Sequence, residues 1–147
     1  MRPRLFIDTN IFIEYFQRRT HHESVRILFN LLEDEKCEGY ISEGSLYTIT
    51  YILEQGLKHK GMQNPQRQKL TRSTLETVLK LVHVAETGGV TLMRGVQDTS
   101  FRDIEDSYQH QAALASHCDF IITFNGKDYI ASSIRVLSPE EFLSGQK

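Results

Sequence analysis

The chain has 147 residues, which fits one compact domain with a single sizeable core better than two. Its 17 Lys plus Arg against 19 Asp plus Glu leave a formal net charge of −2, which excludes a strongly basic nucleic-acid clamp as a whole-chain property but leaves room for a local basic patch. An apolar fraction of 39% and only two cysteines, Cys37 and Cys118, exclude a disordered chain and a disulfide framework and predict a reduced, cytoplasmic protein with no membrane span.

Leu5, Phe6 and Ile7 behind Arg4 form a short apolar run stopped by Asp8-Thr9-Asn10, which predicts a buried first strand opening into a loop or helix start. Helices are expected from about residue 11 to 17 and from 22 to 35, the second with Val25, Leu28, Phe29 and Leu32 at helical spacing. Residues 39–41 predict a second strand, and Ser42 is placed to cap a helix from 43 to about 59. Another amphipathic helix is expected from 65 to 86, ended by Gly88-Gly89. Residues 90–93 then read as the third strand, 103–117 as a helix, 119–123 as the fourth strand and 134–137 as the fifth. Ser138-Pro139-Glu140-Glu141 opens a terminal helix by its cap and first-turn chemistry. Short strands alternating with long helices imply crossover connections. The expected fold is therefore one three-layer α/β/α domain over residues 1–147, with a central, mostly parallel sheet of about five strands and function at their carboxyl ends.

Acids fall at those ends. Asp8 follows the first strand, Asp103 and Asp106 open the helix that leads into the fourth, and Asp128 follows the fourth. Each has a plain alternative: Asp8 as a helix cap, Asp103 as a solvent-facing acid favoured by the helix dipole, and residues 125–128 as a connecting turn. Asp103 and Asp106 share a helix face at i and i+3 with His110 one turn on, where His110 fits packing or surface better than metal ligation. Ala112, Ala113 and Ala115 predict close approach of this helix to the sheet. Converging acids without Cys and with little His match a hard-cation site for Mg²⁺ or Mn²⁺, the usual equipment of phosphoryl chemistry.

The segments LFIDTNIFIEYF and FRDIEDSYQHQAALASHCDFIITFNGKDYIASSIRVLSPEEFL carry a D-x-N opening, an E-D-x₆-A spacing from Glu105 and Asp106 to Ala113, a T-x-N-x-x-D-[FY] turn from Thr123 to Tyr129, and a closing Pro-Glu-Glu-Phe. In this order and spacing they resemble the PIN-domain family of metal-dependent ribonucleases, which includes VapC-type toxins. The resemblance spans nearly the whole chain. It implies Asp8 and Asp106 as principal metal ligands, Asp128 with Asn125 completing the acidic pocket, and Asp103 as an accessory acid; Asn10, two residues after Asp8, is placed by the sequence itself to hydrogen-bond the loop or the site around it. The resemblance also implies that Thr9 or Thr123 positions water or a phosphate. RNA as substrate, a small inhibitory antitoxin protein and a homodimer follow from the same resemblance.

One departure stands out. Where the family has a further acid on the helix after the second strand, this chain has Thr48 in SLYTITYIL. Glu43, five residues earlier, lies roughly 140° away around the helix, so it can serve only if the helix start itself lines the rim. Separately, Lys58, Lys60, Arg67, Lys69 and Arg72 fall between Gly56 and Leu75 with no acid among them, a segment suited either to an RNA phosphate backbone or to a solvated face. Two readings of function follow: an endoribonuclease, and a PIN-like RNA- or protein-binding module with weak or no catalysis. A haloacid-dehalogenase-like phosphatase built on Asp8 is disfavoured, because Asn10 replaces the second Asp that such chemistry uses.

Overall fold

The computed structural model describes residues 1–145. Its elements in chain order are β1 (Arg4–Ile7), α1 (Thr9–Phe16), α2 (His22–Glu33), β2 (Glu38–Ile41), α3 (Glu43–His59), α4 (Gln66–Leu81), β3 (His83–Val84), α5 (Gly89–Gln97), α6 (Ile104–Ala115), β4 (Phe120–Ile122), a 3-10 turn (Gly126–Tyr129), β5 (Arg135–Leu137) and α7 (Pro139–Ser144). The five strands form one sheet in the order β3-β2-β1-β4-β5, and every pairing is parallel.

Parallel strands covered on both faces read as continuous apolar runs, and β1 does so: Leu5, Phe6 and Ile7 are fully buried. Alternation along the strand sends them to opposite layers. Leu5 and Ile7 join Ile11, Phe12, Val25, Leu28, Ile49, Val78 and Phe142, from α1 to α4 and α7. Phe6 joins Phe101, Ala112, Ala113, Ile121 and Tyr129 under α6. The result is the expected three-layer α/β/α arrangement with a parallel sheet of five strands.

Local chemistry sets the helix starts. Asp8, Ser42, Asp103 and Ser138 each accept a backbone N–H of the helix that follows, and Ser138 with Glu141 completes a capping box. Ala112 and Ala113 are buried against the sheet as their size predicts, whereas Ala115 faces solvent at the helix end.

The third strand is corrected. Residues 90–93 lie in α5, not in the sheet, and the strand is His83–Val84, paired with Tyr40 and Ile41. The helix expected to reach 86 ends at Leu81, where Val82 turns to extended backbone (φ −129°, ψ 158°). A run of four apolar residues carries no period long enough to separate strand from helix. Packing decided instead: α5 lies on α6 at Gly95, where an added Cβ would meet the Tyr108 ring at 2.7 Å, and Ser107 Oγ donates to the Gly95 carbonyl at 2.7 Å.

Candidate active site

The strand order reverses direction between β1 and β4, since the chain proceeds from β1 outward through β2 and β3 and then returns to the other side of β1. Open parallel sheets bind ligands in the crevice beyond the carboxyl ends at such a switch point. Here that crevice is a cleft of about 470 Å³ lined by Asp8, Thr9 and Asn10 after β1, by Ser42, Gly44, Ser45 and Thr48 of α3, by Asp103, Glu105, Asp106 and Gln109 of α6, and by Asn125 and Asp128 after β4.

Asp8 forms its floor. The carboxylate is 8% exposed; one oxygen accepts from Thr9 N at 2.8 Å, the other from Thr123 Oγ1 at 2.8 Å and at longer range from Asn10 Nδ2 at 3.4 Å. Thr123 Oγ1 in turn accepts from Asn10 Nδ2 (3.0 Å) and Asn125 N (3.1 Å), while Asn10 Oδ1 accepts from Phe124 N (3.2 Å). Asp8 is therefore a helix cap through one oxygen while its other oxygen is held by Thr123 and Asn10. Burial pushes its carboxyl above the ordinary range, against the pull of these donors.

Asp106 stands half-buried in the first turn of α6, with its carboxyl pushed up to about 6 by burial and then by the charges of Asp103, Asp8 and Asp128. Asp103 is exposed and caps α6 through Glu105 N at 2.9 Å, and Asp128 is exposed on the opposite rim. The phenol of Tyr129 lies beside Asp8 and Asp106, and burial with those two anions moves its ionisation far upward, so it remains a neutral donor.

The wall that carries Thr48 is neutral. Gln109 Nε2 donates to Ser45 Oγ at 2.7 Å, Gln109 Oε1 accepts from Ser42 Oγ at 2.5 Å, and Ser45 Oγ lies 3.0 Å from Thr9 Oγ1. Thr48 Oγ1 donates back to the Gly44 carbonyl at 3.2 Å. This relay ties α3 and α6 to the residue whose N–H holds Asp8. Sequence reading missed Ser42, Ser45, Gln109 and Tyr129 as site residues; for Tyr129, the final aromatic of the T-x-N-x-x-D-[FY] turn was the available signal.

The remaining sequence candidates are placed as follows. Glu43 is exposed and does not line the cleft, so the start of α3 reaches the rim through its neighbours Ser42, Gly44 and Ser45 instead. Lys58, Lys60, Lys69 and Arg72 are exposed and Arg67 is half-buried, donating to the Met62 carbonyl at 3.2 Å. None of the five lines the cleft, and Lys58 is about 15 Å along α3 from Thr48 by helix rise. His110 is 5% exposed, packs on the Phe101 ring at 5.0 Å and accepts from Ser133 N at 3.2 Å, so it is a packing residue as expected.

The donors that face the cleft are carboxylate, hydroxyl and amide oxygens, which suits a hard divalent cation. Among the described residues no three His, Cys, Asp or Glu side chains are gathered tightly enough to enclose one ion. Mg²⁺ needs no such cage: it keeps several waters and is commonly held by one or two carboxylates together with substrate phosphates. Asp8 and Asp106 fit that mode.

Comparison with known proteins bears on the family and the fold. The PIN domain family model matches residues 4–127. Ribonuclease VapC1 of Aquifex aeolicus (strain VF5) is 24% identical over 144 residues, covering 95% of this chain and 92% of that protein. Among solved structures, a toxin-antitoxin complex from Klebsiella pneumoniae superposes with a TM-score of 0.63 at 20% identity, covering 92% of this chain and 97% of the other. VapBC2 from Rickettsia felis, bound to a DNA fragment from their promoter, gives 0.62 at 16% identity, covering 92% and 98%.

Proposed function

The chain belongs to the PIN-domain family, and from that premise we propose that it is a divalent-metal-dependent endoribonuclease, the toxin of a toxin-antitoxin pair. The observation that carries this reading is the placement of Asp8 and Asp106 together in the crevice at the switch point of the sheet. In this reading Asp8 and Asp106 hold Mg²⁺ or Mn²⁺, with Asp128 and Asp103 on the rim and Asn125 beside them. The ion supplies the positive charge that activates water and neutralises phosphate oxygens.

The chain's own groups do the rest. Thr123, Asn10 and the Thr9 N–H fix Asp8 so that it cannot swing away from the cleft. Asp106, with its carboxyl pushed up to about 6, is largely ionised at pH 7.5 and takes a proton below that value. The Ser42–Gln109–Ser45–Thr9 relay keeps the three helix N-termini that surround the cleft in register. Lys58, Lys60, Arg67, Lys69 and Arg72 form an outlying arm for the RNA backbone, its near end about 15 Å along α3 from Thr48. An antitoxin partner is supported by the toxin-antitoxin complex from Klebsiella pneumoniae among the structural neighbours. We read the whole chain as a single domain that dimerises and works in the cytoplasm.

The test is cleavage of single-stranded and structured RNA by purified protein with Mn²⁺ or Mg²⁺, alongside Asp8→Asn and Asp106→Asn. Loss of cleavage in both variants is expected, and cleavage that persists in both overturns the site. A second reading, an RNA- or protein-binding module without cleavage, is favoured by one observation: Thr48 and the neutral relay stand where an additional family acid is expected. RNA binding by the parent with no cleavage under either metal would select it.

A further inference from the structure

Tyr129 ends the 3-10 turn one residue after Asp128, and it is 2% exposed. Its ring sits edge-on to Phe101, with centroids 6.2 Å apart, inside the apolar cluster of Phe6, Ala112, Ala113 and Ile121. Packing accounts for the ring but not for the oxygen. The hydroxyl is buried with no partner at full hydrogen-bond geometry, and the Asp8 and Asp106 carboxylates are near enough to push its ionisation upward. Phenylalanine would fill the same space without leaving a buried polar atom unpaired, and such atoms in a folded protein call for an explanation.

The neighbours supply one. Both carboxylates are acceptors only, and the phenol is a donor. Asp8 is already fixed by Thr9, Thr123 and Asn10, whereas Asp106 is half-buried on a different element, so nothing among those three bonds relates the two acids to each other. The Tyr129 hydroxyl is a donor that borders both. Carboxylates that hold a cation are usually hydrogen-bonded behind by a group that orients them, and losing that group weakens the ion's hold.

We propose that Tyr129 is the positioning residue of the acid pair: unpaired without metal, its single hydroxyl proton is donated from behind to one carboxylate of the Asp8–Asp106 pair once a divalent cation draws the outer oxygens of both acids toward the cleft. The proposal rests on the metal-dependent reading above and adds a residue that this reading does not require.

The experiment is Mn²⁺ binding to the intact protein, followed by the electron paramagnetic resonance signal of free Mn²⁺, with Tyr129→Phe compared to the parent. The expected result is affinity weaker by roughly tenfold to a hundredfold, while the melting temperature measured without metal is unchanged or higher, because the unpaired hydroxyl is gone. A purely structural tyrosine would show the reverse, a lower melting temperature and unchanged affinity. Equal Mn²⁺ affinity in the two proteins overturns the proposal alone; a parent that binds no Mn²⁺ overturns the metal-dependent reading and this proposal with it. A second measurement needs no variant: the ring carbon shift of labelled Tyr129 in the parent should move on Mg²⁺ addition, and a shift that stays fixed while Mg²⁺ binds counts against it.

Discussion

Asp8 is 8% exposed and both of its oxygens are held by donors, whereas Lys58, Lys60, Lys69 and Arg72 stand in solvent and form no ion pair among the described residues. The two regions carry charge by opposite means. A buried carboxylate is tolerable only where donors are prearranged around it, and it then acts strongly at short range. Exposed cations need no partners, act through solvent and are screened by salt. Changes in the floor should therefore be abrupt and local, and changes in the arm graded and dependent on ionic strength.

The largest expected effect is on the floor. Asp8→Asn and Asp106→Asn should each lower the rate of RNA cleavage more than about a hundredfold, since loss even of a group behind a ligand typically weakens a site tenfold to a hundredfold. Initial rates with Mn²⁺ at pH 7.5 check this; a loss under tenfold in both would erase the contrast between the regions. Next is Thr123→Val, which removes one donor from a buried anion and should destabilise the fold by about 1–3 kcal/mol in urea unfolding. An unchanged midpoint would mean that Asp8 does not depend on its prearranged donors.

A third prediction separates burial from ligation through pH. The folded-state pKa of Asp106 is raised to about 6 from an ordinary 3.8, so its ionised form is destabilising in the fold above pH 6, and that destabilisation is relieved as pH falls from 6 toward 3.8. Asp106→Asn should accordingly melt higher than the parent at pH 7.5 without metal, with the gap closing by about pH 4. A gap independent of pH would remove the electrostatic account. The smallest effect belongs to the arm. Lys58→Ala with Lys60→Ala should leave the cleavage rate at saturating RNA unchanged. The same pair should flatten the slope of log binding constant against log salt by about 1.4, or 0.7 for each single-strand phosphate that a lysine no longer neutralises. An unaltered slope would assign this arm to solvent.

Much of the architecture was legible because it follows from local patterns. Leu5-Phe6-Ile7 before Asp8 and Phe120-Ile121-Ile122 before Thr123 read as buried strands, and Ser138 and Ser42 read as caps. The third strand was illegible for the opposite reason. His83 and Val84 make a two-residue strand that exists only because β2 offers Tyr40 and Ile41 to pair with, while Val90–Met93 has the composition of a strand and lies in a helix packed on Tyr108. In the site, Asp8, Asp106 and Asp128 were nominated by position in the chain. Gln109 was not, because an amide within a helix has no meaning until Ser42 and Ser45 are seen within 2.7 Å of it.

Where apolar runs stop, which residues cap helices, which acids stand at the strand ends and where cations collect are all readable along the chain, because each depends on local spacing. Packing of distant segments sets which acids share a cleft, leaves Glu43 outside it, fills the wall at Thr48 with a neutral relay, and buries the Tyr129 hydroxyl unpaired near two carboxylates. Those facts join residues up to 121 positions apart, from Asp8 to Tyr129. Such distances are closed by the stacking order of β1 and β4 in the sheet, and no local pattern encodes that order.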